Sequence, residues 1–335
     1  MHLKGVCQLN HDVRADQAAE CKSVIQTSVH KNLGDSLLLS GGLDTSIIAH
    51  AAATTSKPKC YTVIFPLAET PDLPYARSIA KKLGFEWDVL ELKPEDLTTP
   101  VTEVIRILRT FDPMEVRNSV VVYHGLAAAR DQGYAKVMTG DATDELFAGY
   151  SFSFNLPPVK LMRRLRDLWK VMHFSSKPMA ATLGISASLP YLDRSVVEFA
   201  ETLRSEQLVG FRNKRKYGKL ILRVAFEQII GKRSAWRVKT PIEYGSGTTY
   251  LPKYYATKIK DSAFTQDRTD AASRDGVKIR DKEQLEYYRL YRRMFPPPAE
   301  LAKTAYRCPD CGADVGPDST FCITCGAYPI VVSPQ

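Results

Sequence analysis

The sequence predicts an α/β fold: a parallel sheet clad in helices, then a mostly helical region, then a small four-cysteine module. Three observations predict it. Between residues 14 and 139, short apolar runs alternate with stretches of helical periodicity, the pattern of parallel strands joined by right-handed crossovers. Two loops of small residues, at 40–46 and 139–150, each stand between an apolar run and a helix, and parallel sheets bind ligands at the carboxyl ends of their strands. Further on, Cys308, Cys311, Cys322 and Cys325 form Cys-x2-Cys-x10-Cys-x2-Cys, a spacing suited to one tetrahedral thiolate site.

The elements follow in order. Val13, Ala18, Cys21, Val24, Ile25 and Val29 recur at helical spacing and give a helix over 14–32. The apolar run at 36–39 is the first strand, and a helix follows its loop. A second strand covers 60–65. Pro71 and Asp72 open a helix that runs to Leu83 and stops at Gly84. A third strand spans 87–92, helices follow at about 95–111 and 118–132, and a fourth strand spans 135–139. Residues 155–235 carry helical periodicity. There Leu161, Leu165, Leu168 and Met172 share one face, ringed by Arg163, Arg164, Arg166 and Lys170, a stripe that reads as core packing. Residues 282–294 form a basic helix bearing Tyr287, Tyr288, Arg289, Tyr291, Arg292 and Arg293, ended by Pro296-Pro297-Pro298. The expected domains are 1–152, 153–295 and 300–332.

The first loop is Ser40-Gly41-Gly42-Leu43-Asp44-Thr45-Ser46. Its glycines let the backbone approach an anion, with Ser and Thr hydroxyls alongside. The helix that starts there offers free N–H groups and the positive end of its dipole. It lacks the Gly-Lys-Ser/Thr ending of the common nucleotide loop, and Asp44 is a candidate magnesium ligand. The competing reading is a tight turn between a buried strand and a helix. The second loop, Thr139-Gly140-Asp141-Ala142-Thr143-Asp144-Glu145, carries three acids within five residues. Like charges so close call for a cation or a basic partner, or else mark an acidic helix N-terminus. Both loops lie at strand ends, so one pocket can hold them together.

These residues resemble a known family. Residues 40–46 look like the pyrophosphate loop of the ATP pyrophosphatases, and with residues 139–150 they are similar to the synthetase domain of asparagine synthase. The resemblance continues through Thr70-Pro71-Asp72-Leu73, Leu189-Pro190-Tyr191-Leu192-Asp193 and Arg237-Val238-Lys239, in the family's order, over about residues 15–255. The combination is specific to the asparagine synthase and β-lactam synthetase group; the first motif alone gives only the superfamily. The resemblance implies an adenine nucleotide α-hydrolase-like (PP-loop) fold for 1–152, a helical synthetase subdomain for 153–295, and ATP with Mg²⁺ as cofactors. The implied activity is an AMP- and pyrophosphate-forming amide synthetase. A carboxylate is adenylated, and ammonia or another amine then displaces AMP.

The resemblance also implies residue roles. Ser40, Gly41, Gly42, Thr45, Ser46 and Gly140 would cradle the nucleotide phosphates, and Asp44 and Asp144 would bind magnesium. Lys239 would be the transition-state cation, with Arg117 a second phosphate candidate; either is otherwise a surface cation. Asp141 would serve as base in the amine step, since ammonium is not a nucleophile. Leu38 and Val63 would lie along the adenine, and core packing explains both equally well. Full-length enzymes of the family begin with a glutaminase domain whose nucleophile is an N-terminal cysteine. Here 39 residues precede Ser40 and Cys7 is not terminal. The expectation is therefore that ammonia arrives free, comes from a separate glutaminase, or is replaced by another amine. Ser186-Ala187-Ser188 stands where the family usually shows Glu-x-Arg, which leaves the small carboxylate, aspartate or similar, open.

Composition bounds the alternatives. Hydrophobic residues make 44% and charged residues 25% of the 335, globular values. The net charge of +9 is uneven: −4 over 1–150 (15 Lys/Arg against 19 Asp/Glu), +14 over 151–300 (29 against 15) and −1 over 301–335 (2 against 3). The basic middle suits an anionic macromolecule, the phosphates of ATP, or a solvated helical surface. A tRNA-modifying enzyme that adenylates a nucleobase is thus the second reading. It is not favoured, because no base-reading motif accompanies the charge. A non-catalytic nucleotide-binding partner protein is the third, opposed by the intact acids and Lys239. No apolar run approaches the roughly 18 residues of a membrane span, and Met1-His2-Leu3-Lys4 does not open a signal peptide. The expected location is cytoplasmic, away from membranes. There the four cysteines suit a structural Zn²⁺ rather than disulfides, while Cys7, Cys21 and Cys60 read as packing thiols.

Overall fold

A computed structural model describes residues 9–10 and 13–332. Its strands are β1 (Leu9–Asn10), β2 (Ser36–Leu38), β3 (Lys59–Ile64), β4 (Trp87–Glu91), β5 (Lys136–Met138), β6 (Ser186–Ser188), β7 (Gly210–Arg212) and β8 (Arg215–Tyr217). Five of them form a sheet in the order β4-β3-β2-β5-β6. β2 pairs in parallel with β3 on one side and β5 on the other, Leu37 standing opposite Cys60 and Met138, and β5 pairs in parallel with β6. The chain thus starts at the centre of the sheet, winds outward to β4, then returns to β5 on the opposite side. Such a reversal opens a crevice at the carboxyl ends of the two central strands, and the loops at 40–46 and 139–150 leave from those ends.

The expected helices are present. They include α1 (Ala15–Lys31), α2 (Leu43–Ala52), α3 (Leu73–Leu83), α4 (Thr98–Leu108) and α5 (Pro113–Asp131). Gly84 ends α3 in the left-handed conformation at φ 64°. α5 begins five residues earlier than expected, because Pro113 suits a first helical position and the Asp112 carboxylate accepts the Met114 N–H at 3.1 Å. The later chain departs from a purely helical reading. β6 is Ser-Ala-Ser, without the β-branched or aromatic residues that mark a strand. Pairing holds it: Ser186 N–H donates to the Ala135 carbonyl and Thr139 N–H to that of Ser188. β7 and β8 form a hairpin whose turn residues, Asn213 and Lys214, both have positive φ (48° and 63°). That turn type usually advertises itself by glycine.

By Cα packing the chain forms two units, each assembled from separate segments. One comprises 1–62, 72–89 and 128–240; the other comprises 63–71, 90–127 and 241–335. The core of the first is built on Leu37, Ile47, Ile48, Met138, Phe147, Leu222 and Phe226, with Leu161 and Leu165 of the stripe at 161–172 buried in it. In the second, Phe111 packs edge-on against Tyr288 and Tyr291, and Tyr255 against Tyr287. The tyrosines of the basic helix (Lys282–Arg292) therefore face inward. Its Arg289 is held by Asp267 at 2.5 Å and its Arg292 by Asp275 at 3.0 Å. Cys21 and Cys60 are buried, and burial pushes the Cys60 thiol up to about 12. Cys7 lies outside the described residues. Among the described residues, no helix is long and apolar enough to cross a membrane.

Candidate nucleotide site and metal centre

The loop after β2 is tight. Gly41 sits at φ 73° with its Cα against the start of α3; a Cβ there would stand 2.7 Å from the Tyr75 carbonyl carbon. Gly42 caps α2 in an extended conformation (φ −68°, ψ 170°), and its N–H donates to Ser40 Oγ at 3.2 Å. Ser40 Oγ lies 3.1 Å from Thr45 Oγ1, and Ser46 Oγ donates to the Gly42 carbonyl at 2.5 Å. Hydroxyls and free N–H groups of one helix start thus converge, as an anion site requires. Leu38 ends β2, one register position before the loop. Gly140, from the second loop, comes so close that a Cβ would meet Thr45 Cγ2 at 3.1 Å and Asp44 Cβ at 3.3 Å. The two loops therefore share one site.

Asp44 and Asp144 meet at a lysine. Lys219 Nζ lies 2.7 Å from Asp44 Oδ2 and 2.9 Å from Asp144 Oδ1, and donates to Thr143 Oγ1 at 3.0 Å. It is 3% exposed. Burial disfavours its charge, but the two carboxylates more than offset this and raise its pKa. Lys239 Nζ reaches the same Asp144 oxygen at 2.7 Å and rests 4.3 Å from the Tyr150 ring centroid. Burial alone would push the Asp144 carboxyl up; Lys219 and Lys239 hold it down at about 2. Asp141 Oδ2 accepts from Thr139 Oγ1 at 2.9 Å and Ser176 Oγ at 2.5 Å. Glu145 accepts from the Tyr150 hydroxyl at 2.5 Å, and burial raises its pKa. The third acid of the cluster is thus a half-buried structural partner of Tyr150.

Carboxylates and hydroxyls are the hard oxygen donors that magnesium takes. Asp44 Oδ1 is buried and makes no hydrogen bond among the described residues, an orphaned acceptor of the kind a cation would satisfy. The residues present fit the ion.

Other motifs of the sequence support these groups. The Tyr191 hydroxyl, fully buried, donates to the Asp44 carbonyl at 2.8 Å. Asp193 is held by Lys31 at 2.9 Å and Asn32 at 3.1 Å. Arg237 pairs with Asp72 and lies 4.1 Å from the Tyr75 ring centroid, so the stretch leading to Lys239 is tied to the same helix start that abuts Gly41. Arg223, buried, donates to the carbonyls of Gly218, Ala235 and Arg237 at 2.7–2.9 Å. Arg117 and Val63 fall in the second unit. There Arg117 Nε lies 3.0 Å from Glu243 and 3.8 Å from Glu283, and Val63 is buried in β3. Sequence reasoning missed Lys219. Its only local signal is a lone lysine after Gly218, directly ahead of the apolar run Leu220-Ile221-Leu222.

The four cysteines come together in the second unit. All are buried, their sulfurs lie within 4.8 Å of one another, and none is in a disulfide. Cys308 Sγ is 3.7 Å from Cys325 Sγ, and Cys311 Sγ is 3.8 Å from Cys322 Sγ. Those spacings are what four thiolates around one tetrahedral ion require, given zinc–sulfur bonds of about 2.3 Å. Each pair is a knuckle. Gly312 N–H returns to the Cys308 carbonyl and Gly326 N–H to that of Cys322, with both glycines at positive φ (71° and 73°). The donor set fits zinc.

A parallel sheet reversing at β2, with a glycine loop and an acidic second loop leaving the ends of the two central strands, is the α/β arrangement expected of a PP-loop fold. The asparagine synthase family model matches residues 22–181 and 170–296. The chain belongs to the asparagine synthase family. It is 26% identical over 314 residues to a probable glutamine-hydrolysing asparagine synthetase of Dictyostelium discoideum, covering 84% of this chain and 55% of that one. Against asparagine synthetase B of Escherichia coli it is 25% identical over 306 residues, covering 84% and 54%. The chain spans about half the length of the curated relatives it matches. Among solved structures it resembles an NH3-dependent NAD synthetase from Campylobacter jejuni, with a TM-score of 0.34 at 11% identity, covering 75% of this chain and 90% of that one. An NMN synthetase from Francisella tularensis gives 0.29 at 13% identity, covering 55% and 90%.

Proposed function

We propose that this chain is an ATP-dependent, AMP-forming amide synthetase acting on a small carboxylate, aspartate or a similar acid, with ammonia or another amine as acceptor. One observation carries the reading: Asp44 and Asp144, from the ends of two different central strands, converge on Lys219 at 2.7 and 2.9 Å, with Lys239 on Asp144 at 2.7 Å. Such alternation of acids and lysines serves a polyphosphate and its counter-ion.

In this reading the substrate carboxylate attacks the α-phosphorus of ATP, and the bond to the pyrophosphate oxygen breaks. Residues 40–46 bind the departing pyrophosphate through N–H groups and hydroxyls. Asp44 and Asp144 would hold magnesium, which supplies positive charge against the charge developing on the leaving group. Lys239 supplies a further cation there. In the second step the amine nitrogen bonds to the acyl carbon, AMP leaves with the bond electrons, and Asp141 takes the surplus proton. Thr139 and Ser176 orient that carboxylate. The zinc of the cysteine module stays outside this chemistry, because four thiolates leave no open coordination position.

Pyrophosphate release in the presence of ATP, magnesium, aspartate and ammonium tests the proposal. Asp44→Asn should lower it at least 100-fold, several kcal/mol in transition-state terms. Wild-type turnover in that variant would overturn the assignment of Asp44. Pyrophosphate release that required tRNA and ignored small carboxylates would overturn the substrate class.

A further inference from the structure

We propose that the four-cysteine module is a metal-dependent brace built into the second unit, seating the turn that opens α5, rather than a tab free to receive a partner. The second knuckle is knitted to that unit through its own carbonyls. Phe111 N–H donates to the Thr324 carbonyl at 2.8 Å, and the Thr110 hydroxyl to that of Ile323 at 2.8 Å. Arg280 spans two more, Cys325 and Gly326, each at 2.7 Å, and the Gln284 amide also donates to the Cys325 carbonyl at 2.8 Å. Gly326 lies against Asp112 so tightly that a Cβ would stand 2.5 Å from its Cγ. The first knuckle is tied as well: Lys278 N–H donates to the Asp310 carbonyl at 2.8 Å, and a Cβ at Gly312 would stand 2.6 Å from that of Ala299.

These acceptors are aimed outward because the sulfurs are gathered inward. Without its ion the knuckle loses what gathers its sulfurs, and only hydrogen bonds remain to hold the turn that presents Thr324, Cys325 and Gly326. Four thiols held this close favour binding of a thiophilic divalent ion, and the binding free energy of such a site is folding free energy. The coupling runs along a short path. Asp112 caps the first turn of α5 through Met114 N–H, and that helix carries Arg117 and Asn118, which hold the Glu243 carboxylate and N–H at 3.0 Å each. The metal therefore sets the order of α5 and of the segment beginning at Ile242.

The test uses the full chain and zinc alone. It should bind one zinc per chain, measured by elemental mass spectrometry. Removing the zinc should speed amide exchange at Phe111 and Lys278 at least tenfold, while the Leu39 amide, bonded to Tyr61 in the first unit, stays protected. Arg280→Ala should keep its zinc and still lose protection at Phe111. Should zinc removal unfold the whole chain, Arg280→Ala decides. Unchanged exchange at Phe111 in that variant would overturn the brace, as would a zinc-free chain with wild-type protection at Phe111 and Lys278. Disulfides in place of bound zinc would overturn it too.

Discussion

Lys219 is the residue on which the candidate site turns. It holds two carboxylates together from a buried position, in a left-handed conformation at φ 53° that is uncommon for any residue but glycine. Replacing it by Met leaves Asp44 and Asp144 facing each other without their shared cation. Asp144 keeps Lys239 at 2.7 Å, but Asp44 loses its cation in a half-buried position, at a cost of up to about 3 kcal/mol, so Lys219→Met should melt below the wild type in the absence of divalent ions. Magnesium, drawn to the same carboxylates, should recover part of the loss. Thermal melts with and without millimolar magnesium measure this. Equal responses of variant and wild type to magnesium would remove the pair from the list of metal ligands.

At the scale of elements, the loop of β2 and the start of α3 meet at Gly41. Gly184 has nearly the same φ, 74°, with nothing within 4 Å of an added Cβ. Gly184→Ala should cost only about 1 kcal/mol for the left-handed backbone. Gly41→Ala adds a clash with backbone that cannot swing away, for an extra 1–3 kcal/mol, roughly, and should weaken nucleotide binding. Paired melts and nucleotide titrations check both. The sheet and both loops were legible in the sequence because apolar runs, glycines and acids are local signals. β6, β7 and β8 were not, since a Ser-Ala-Ser strand and an Asn-Lys turn carry no such signal and owe their conformation to partners. Lys219 and the Tyr191 bond to Asp44 were hidden for the same reason: nothing near either residue announces a contact 147 or 175 positions away.

For the whole molecule, pH acts in opposite directions at a buried carboxyl and a half-buried one. Glu283 is 1% exposed. Burial pushes it up to about 7 against the pull of Arg117 and Tyr287. A carboxyl whose folded pKa is raised stabilises fully below its unfolded value, and that contribution is lost as pH rises through the folded one. Between about pH 4.5 and 7 it should therefore cost on the order of 3 kcal/mol. Asp144, held low by its lysines, contributes above its unfolded value and loses that only as pH falls toward 2. Denaturant melts of Glu283→Gln should show higher stability than the wild type at pH 8 and little difference at pH 4.5. The same gap at both pH values would show that Glu283 does not titrate in this range.

Asp44 and Lys219 lie 175 residues apart, and this separation bears on how the protein is made. Ribosomes add roughly 5–20 residues per second, so Asp44 waits some ten to thirty-five seconds before its lysine exists. For the last 75 residues of that interval, once Asp144 has been made, a nascent chain carries both acids and neither lysine, and cellular magnesium is the cation at hand to fill the gap. A fragment stopped at residue 152 would remain in that condition, holding both aspartates of the crevice and neither of its lysines.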